Sequence, residues 1–287
     1  MKNEILIRLL SFACVFILIA VWERIRPRRE MTTSRTTRWV GNLGIVGLNS
    51  LLAQLVTPVM PVAMALVVRE NQWGLLNTIN IPYPVAVIVG VVLLDLVIYV
   101  QHVMFHALPI LWRLHMMHHA DLDYDLTTGL RFHPLEILIS LGIKLSVVVV
   151  LGPPVLAVIV FEVLLNATAT FNHGNIHIPE KIDRFLRLLL VTPDMHRVHH
   201  SVIIRETNSN FGFNLPWWDR LFGTYRSQPA AGHRGMTIGL SQFRDPKRLT
   251  LPWMLALPFV GKPGSYSING WGREPVAGKK GQGIGET

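Results

Sequence analysis

The sequence predicts an all-α, polytopic membrane protein with about four transmembrane helices and a cytosolic helical cap. Half of its 287 residues are hydrophobic and only 16% are charged. The apolar residues lie in long runs, which is typical of helices that cross a bilayer. Ten of the twelve histidines fall in two short stretches, residues 102–119 and 173–200. The cap is therefore predicted to carry a histidine-ligated site for two metal ions.

The first apolar run, Ile5 to Trp22, predicts an uncleaved transmembrane helix, since no small-residue cleavage site precedes Glu23. Six arginines follow between Arg24 and Arg38. Basic loops stay on the cytoplasmic side of a membrane, so this loop should be cytoplasmic and the N-terminus outside.

The second span is predicted from Leu43 to Val68, with kinks at Pro58 and Pro61. Gly41, Gly44 and Gly47 are interpreted as sites of close helix packing. Residues 70–83 contain no Lys or Arg, as expected of an outside loop.

The third span, from Pro84 to about Tyr99, runs into the first histidine stretch. The apolar stretch Ile137 to Phe171 is divided by Gly152-Pro153-Pro154 and predicts two helices that turn there. Each half is shorter than the roughly 20 residues that span a bilayer, so a shallow or tilted hairpin is an alternative. A hairpin crosses an even number of times and leaves both histidine stretches on one side.

The rest of the chain is predicted to be largely polar connector and loop. Trp217 and Trp218 suit a membrane–water interface. The Pro-containing stretch Leu249 to Val260 is expected on the surface, and the last dozen residues are expected to be disordered. The predicted divisions are an N-terminal membrane region (1–83), a catalytic domain (84–226) and a C-terminal cytosolic tail (227–287).

The net charge of +9 favours contact with anionic lipid over nucleic-acid binding, because no basic stripe is interleaved with aromatic residues. The single cysteine, Cys14, excludes disulfides and thiolate clusters.

Each histidine stretch has the pattern HxxxH followed by HxxHH. Residues three and four apart share one face of a helix, so these side chains can converge on metal ions, and imidazole suits iron, zinc, copper and nickel. One isolated HxxxH would more often be core or surface, but two complete pairs of motifs in order favour a metal site.

Three further residues are predicted to support the ligands from outside: Asp95, Tyr99 and Asp194. Asp95 interrupts an apolar helix on the face of His102, and an intramembrane carboxylate is by default a functional candidate that could orient an imidazole. The alternative is an interfacial carboxylate packed against Arg113. Asp194 precedes the last motif and could accept an imidazole N–H.

Several motifs together resemble those of the fatty acid hydroxylase/sterol desaturase superfamily. They are Asp95-x3-Tyr99-x2-His102-x3-His106, Leu111-Trp112-x2-His115-x2-His118-His119, Arg131-Phe132-His133-Pro134-Leu135-Glu136, Asn172-His173-x3-His177, Thr192-Pro193-x-Met195-His196-x2-His199-His200-Ser201 and Trp218-Asp219-Arg220-Leu221-Phe222-Gly223-Thr224. The resemblance covers about residues 93–225. One departure is Asn208-Ser209-Asn210-Phe211-Gly212, where the family often has an acidic residue first and Tyr before Gly.

The resemblance implies a membrane-embedded, O2-dependent di-iron oxygenase that hydroxylates or desaturates a C–H bond of a sterol or a fatty acyl or alkyl lipid. It implies two iron ions, which zinc can replace in purified protein, held by ten ligands: His102, His106, His115, His118, His119, His173, His177, His196, His199 and His200. His133 matches a family position outside the paired motifs. The sequence contains no flavin, haem or dinucleotide motif, so electrons should come from an external donor of the cytochrome b5 or ferredoxin type. A metal-binding membrane protein without redox chemistry, such as a zinc transporter or sensor, is the alternative.

Overall fold

A computed structural model describes residues 2–56, 60–260 and 263–270, and in these residues the chain is helical, with two isolated β-bridges and no β-strand. The predicted all-α class is therefore confirmed. The α-helices are α1 (Lys2–Ile25), α2 (Arg35–Val56), α3 (Pro61–Glu70), α4 (Leu75–Thr78), α5 (Tyr83–Ala107), α6 (Pro109–His119), α7 (Pro134–Leu151), α8 (Val155–Asn172), α9 (Glu180–Leu186), α10 (Pro193–His199), α11 (Ile204–Thr207), α12 (Trp217–Leu221), α13 (Gly232–Gly235) and α14 (Leu251–Ala256).

Five stretches of the described chain are long and apolar enough to cross a bilayer, where the sequence suggested about four. Helices α1, α5, α7 and α8 supply one each, and the fifth is the broken stretch Arg35–Thr78. The kink predicted at Pro61 is the start of α3, and Pro58 lies outside the described residues. Both arms of the predicted hairpin are 18-residue helices.

The turn between α7 and α8 lies where the sequence predicted it. Gly152 ends α7 in the left-handed region, with φ of 62°. A Cβ there would lie 2.5 Å from the carbonyl oxygen of Trp73, so glycine is also required by the close approach of the preceding loop. Because the turn reverses the chain, α8 returns to the end of the bundle from which α7 began.

Helix α8 lies at the centre of the bundle, with α1 and α5 packed against it, and α3 packs against both arms of the hairpin. The buried core between these helices is formed by aliphatic and aromatic side chains such as Leu94, Ile98, Val148, Val158 and Phe161. This packing fixes the C-terminal ends of α5 and α8 beside each other, and both ends lead into histidine motifs.

A buried ion-pair cluster joins α2 to the cap. The guanidinium of Arg38 is fully buried and donates two hydrogen bonds of 2.7 Å to Asp121 and one of 2.6 Å to Asp125. Burial by itself would raise the pKa of Asp121, but Arg38 lowers it to about 2. In the preceding loop, Arg28 pairs with Asp194. Part of the predicted basic loop therefore has a structural role.

The C-terminal segment packs onto the cap over its described part. Tyr266 stacks on Trp112 with ring centroids 5.8 Å apart, and Met254 is buried in the same core. A Cβ on Gly41 would lie 2.8 Å from the Leu249 carbonyl oxygen, and one on Gly44 would lie 3.2 Å from Leu251, which confirms close packing at these two glycines. The predicted tail is therefore part of the cap up to residue 270. The last dozen residues lie outside the described part of the chain.

Candidate metal centre

Nine buried histidines converge at one end of the bundle in two groups. In each group, one ring nitrogen from every member lies within 4.8 Å of the others. The first group is His102, His106, His115, His119 and His199, and the second is His118, His173, His196 and His200. The structure thus brings together nine of the ten histidines that the sequence singled out.

The two groups are interleaved along the chain. The adjacent residues His118 and His119 belong to different groups, and so do His199 and His200. The rings of His119 and His200 stack with centroids 4.6 Å apart, so the groups are immediate neighbours. Each HxxHH motif therefore supplies both groups.

His177 does not belong to either group, so the structure does not bring it together with the other nine predicted ligands. Helix α8 ends at Asn172, so the chain beyond His173 is no longer helical and a four-residue spacing does not place two side chains on one face. The neighbouring Ile176 forms a β-bridge with Pro27 instead. His177 is exposed, and its backbone N–H donates to the Arg26 carbonyl oxygen.

Four segments present the nine converging histidines. The C-terminal turns of α5 carry His102 and His106, and α6 begins at Pro109 directly after it. His173 caps the end of α8. The short helix α10 is capped by Thr192, whose hydroxyl accepts a hydrogen bond from the Met195 N–H, and begins at Pro193. This N-terminus is typical of helices and places the last HxxHH motif on one turn.

Outer hydrogen bonds fix the tautomers of the first group. The Nδ1 atom of His102 lies 2.8 Å from the Phe211 carbonyl oxygen, and that of His199 lies 2.8 Å from the Ser209 carbonyl oxygen. Since a carbonyl oxygen only accepts, both Nδ1 atoms donate and both Nε2 atoms keep a lone pair. The same holds for His106, whose Nδ1 lies 2.9 Å from Oδ1 of Asn208.

His115 completes this pattern through a carboxylate. Its Nδ1 lies 2.6 Å from Oε1 of Glu136, and both side chains are buried. The Nε2 atoms of His102 and His115 are 3.1 Å apart. The Nε2 atom of His102 carries a lone pair, and that of His115 does so when Glu136 is ionised and accepts the His115 N–H. Two facing lone pairs repel unless a cation lies between them. Imidazole nitrogens bound to a metal at about 2.0–2.1 Å lie about 3 Å apart when they are at right angles, which matches this contact.

Ring nitrogens without a hydrogen-bond partner also indicate a metal site. Among the described residues, the buried Nε2 atoms of His106, His119, His196, His199 and His200 have no hydrogen-bond partner. An unsatisfied buried nitrogen is costly, and coordination of a metal ion would satisfy it. The donor set therefore fits two metal ions held by imidazole alone.

Burial keeps the cap histidines neutral. It lowers the pKa of His115 and His173 to about 3, and it lowers the pKa of His118, His119, His196, His199 and His200 well below the ordinary value. The neutral ring is the form that binds metal, so the site is already in the state required for coordination near pH 7.

The predicted supporting role of Asp95 is not seen, because its carboxylate contacts no imidazole. Its Oδ2 accepts hydrogen bonds from the indole N–H of Trp218 at 2.8 Å and from the Leu215 N–H at 3.3 Å. Nor does it pack against Arg113, which donates to the Pro258 carbonyl oxygen. Asp95 therefore holds the segment that precedes α12.

Tyr99 and Asp194 likewise contact residues other than the nine ligands. The Tyr99 hydroxyl lies 2.9 Å from the Thr224 hydroxyl, and its ring stacks on Phe222. Asp194 pairs with Arg28 and Arg197, and these partners lower its pKa to about 2 against the effect of burial. The imidazole nearest to Asp194 is that of His233, at 3.6 Å.

Two carboxylates that the sequence reasoning left without a role support the site. Glu136 holds His115. Asp219 accepts hydrogen bonds from the backbone N–H groups of Phe211 and Gly212, and so fixes the carbonyl group that receives the His102 N–H. Both acids belong to motifs already recognised, and that membership was the available signal. His133, by contrast, caps α7 by accepting a hydrogen bond from the Leu135 N–H.

A cavity of about 440 Å3 adjoins the first histidine group inside the bundle. His102 and His115 form one end of it, together with Glu136 and the aromatic rings of Phe105 and Phe132. Its volume lies in the range of small-molecule binding pockets. A ligand in this cavity would lie directly against the metal centre.

Comparisons with known proteins agree with this geometry. Residues 87–224 match the family model described as fatty acid hydroxylase. The chain is 26% identical over 226 residues to the ornithine lipid hydroxylase OlsE of Rhizobium tropici, an alignment that covers 74% of this chain and 65% of that protein.

The chain is 29% identical over 151 residues to the alkylglycerol monooxygenase of Homo sapiens, an alignment that covers 51% of this chain and 32% of that protein. It is also 29% identical over 147 residues to the alkylglycerol monooxygenase of Xenopus tropicalis, an alignment that covers 50% of this chain and 31% of that protein. The chain thus spans less than two thirds of the length of these relatives. No solved structure matches it. Residues 87–224 are therefore similar to the fatty acid hydroxylase family, in agreement with the resemblance of the histidine motifs.

Proposed function

We propose that this protein is an O2-dependent membrane oxygenase that hydroxylates or desaturates a C–H bond of a lipid and uses two iron ions bound by the nine converging histidines. The two neighbouring histidine groups, the first of which adjoins a cavity in the bundle, carry the proposal. The relatives described above are named as a lipid hydroxylase and alkylglycerol monooxygenases, which supports a lipid as the substrate.

The choice of metal follows from the ligands. Imidazole alone suits iron, zinc or copper, and the absence of carboxylates and thiolates in both groups argues against calcium, magnesium and thiolate-bound zinc. Bound iron would supply the activation of O2 and the oxidation of an unactivated C–H bond. Zinc in purified protein would then be a substitute for iron.

The protein's own residues would provide a rigid and water-poor site. The outer hydrogen bonds to His102, His106, His115 and His199 hold the rings in place before any metal binds. The ring of Phe132 stacks on His118 with centroids 4.5 Å apart. Apolar rings beside the ligands exclude bulk water, which protects a reactive site from side reactions.

Electrons would come from an external protein such as a cytochrome b5-like protein or a ferredoxin-type protein. Arg24 and Arg26 are exposed at the histidine end of α1, next to the β-bridge between Pro27 and Ile176. Exposed arginines favour docking of an acidic partner. We also propose that this end of the bundle faces the cytoplasm, as the basic loop after α1 predicts.

The direct experiment replaces one histidine of each group. His118→Ala and His199→Ala should each lower the iron content of the purified full-length protein and abolish lipid oxidation. His177→Ala is the matched control and should retain both properties, because His177 is exposed and outside the groups.

Full iron content and normal lipid oxidation in both group variants would overturn the proposal. Metal binding without reductant- and lipid-dependent O2 consumption would instead favour a zinc transporter or sensor. The buried ligands at one end of the bundle argue against a transport path, since such a path would place ligands along the length of the helices.

A further inference from the structure

The cavity beside the first histidine group contains charged side chains from three membrane helices. Arg8 comes from α1, Lys144 from α7 and Glu162 from α8, and all three line the cavity. Ionisable groups inside a bilayer are costly and usually face a binding site or one another. An alkyl chain by itself would need none of these groups, so they point to a ligand with a polar part.

Two of the three charges form a pair. An Nη atom of Arg8 lies 3.1 Å from a carboxylate oxygen of Glu162. Lys144 is close enough to interact electrostatically with Arg8 and Glu162. Within the described residues, however, its ammonium group has neither a hydrogen bond nor an ion pair. Lys144 is therefore the cation of this cluster that has no direct partner among the described residues.

The position of Lys144 relates this charge to the metal centre. It lies eight residues after Glu136 on α7, which is about 12 Å along the helix. Glu136 and His115 line the same cavity. Gln101 and Ser140, hydrogen-bonded to each other at 3.0 Å, line the wall. The cavity therefore has a cationic end and a histidine end.

We propose that the cavity binds a lipid with an anionic group, a carboxylate or a phosphate, which pairs with Lys144 while the alkyl chain extends towards His102 and His115. The carbon next to the histidines would then be separated from the anionic group by about 12 Å of chain. As a statement about the substrate this rests on the proposed oxygenase function, but the binding itself requires no metal.

Photocrosslinking to the full-length protein in nanodiscs tests the inference without turnover. Three probes share a 16-carbon chain with a diazirine: a carboxylic acid, an alkyl phosphate and a primary alcohol. The acid or the phosphate should label cavity residues more strongly than the alcohol does. Lys144→Met should weaken labelling by that anionic probe about 10- to 100-fold, the effect of losing one hydrogen bond to a charged group. Labelling by the alcohol should not change.

Two controls separate binding from folding. Lys181→Met removes an exposed lysine of α9 and should have no effect on any probe. If Lys144 serves only to neutralise Glu162, then Lys144→Met/Glu162→Gln should restore labelling to the wild-type level. The inference predicts no restoration.

Equal labelling by acid, phosphate and alcohol, or unchanged labelling in Lys144→Met, would overturn the inference. Those results would leave the iron content and O2 consumption of the wild-type protein untouched. Failure of the oxygenase proposal would conversely appear in those two measurements and not in the crosslinking.

Discussion

Replacement of Glu136 by glutamine should weaken metal binding in one histidine group and spare the other. The substitution keeps the shape of the side chain and an oxygen that can accept the His115 N–H, but it removes the negative charge. Glu136 contacts His115 at 2.6 Å, and His115 belongs to the first group. No hydrogen bond connects Glu136 to a member of the second group within the described residues.

The expected loss of metal affinity follows from the role of carboxylates that accept a hydrogen bond from a metal-binding imidazole. A buried carboxylate raises the basicity of the imidazole that it holds, and removal of such a partner typically costs 10- to 100-fold in metal affinity. This corresponds to about 1.4–2.7 kcal/mol. The effect should lie near the upper end of this range because both side chains are buried and the hydrogen bond is short.

The assay measures the iron retained by full-length protein after dialysis against a chelator at graded concentrations. Wild-type protein should lose both ions only at high chelator concentration. Glu136→Gln should lose the first ion at 10- to 100-fold lower chelator and keep the second. Glu180→Gln is the matched control, because Glu180 pairs with Arg184 on the exposed surface.

Retention of both ions by Glu136→Gln at every chelator concentration would refute the reasoning. Equal loss of both ions from a folded variant would refute the assignment of His115 to a separate group. Circular dichroism of the variant identifies any loss that results from unfolding.

Three further predictions concern stability. Arg38→Met should destabilise the protein by about 3–5 kcal/mol, because it leaves Asp121 buried without its cation; an unchanged thermal midpoint would contradict this. Asp95→Leu should lower the midpoint, since each buried N–H left without an acceptor costs about 1–3 kcal/mol, but iron content should stay at the wild-type level because Asp95 contacts no imidazole. The metal-free protein should lose stability as the pH falls from 6.5 towards 3. In that window His115 and His173, with pKa values lowered to about 3, stay neutral in the folded state while the unfolded chain takes up protons. Each of the two histidines lowers the free energy of unfolding by up to about 1.4 kcal/mol per pH unit in this window. A thermal unfolding midpoint that does not change between these pH values would contradict the burial of neutral histidines.

The membrane helices were predictable because long apolar runs and prolines are local signals. The runs located α1, α5 and both arms of the hairpin, and Gly152-Pro153-Pro154 located the turn between the arms. The histidine clusters were equally visible because two motifs occur twice. These signals are sufficient for the fold class and for the nine histidines that the structure brings together.

Helical spacing alone does not determine whether His177 and Asp95 lie beside the other predicted residues. His173 and His177 would share a face only if α8 continued, but it ends at Asn172. Asp95 lies on the face of His102 but seven residues away, which is about 10.5 Å along α5 and too far for contact.

The interleaving of the two groups and the roles of Glu136 and Asn208 depend on tertiary packing. Glu136 comes from α7 and is 21 residues from His115 in the sequence, and Asn208 is 102 residues from His106. No local periodicity connects such pairs. Asn208 occupies the position at which the sequence departs from its family, and the structure places its side-chain oxygen on a ligand imidazole.

On this proposal, two iron ions bind in two neighbouring histidine groups. An anomalous difference map at the iron absorption edge, from crystals of the iron-loaded full-length protein, tests it most directly. We expect two peaks, one among the Nε2 atoms of His102, His115 and His199 and one among the ring nitrogens of His118, His173 and His200. A single peak, or a peak at His177, would contradict the account.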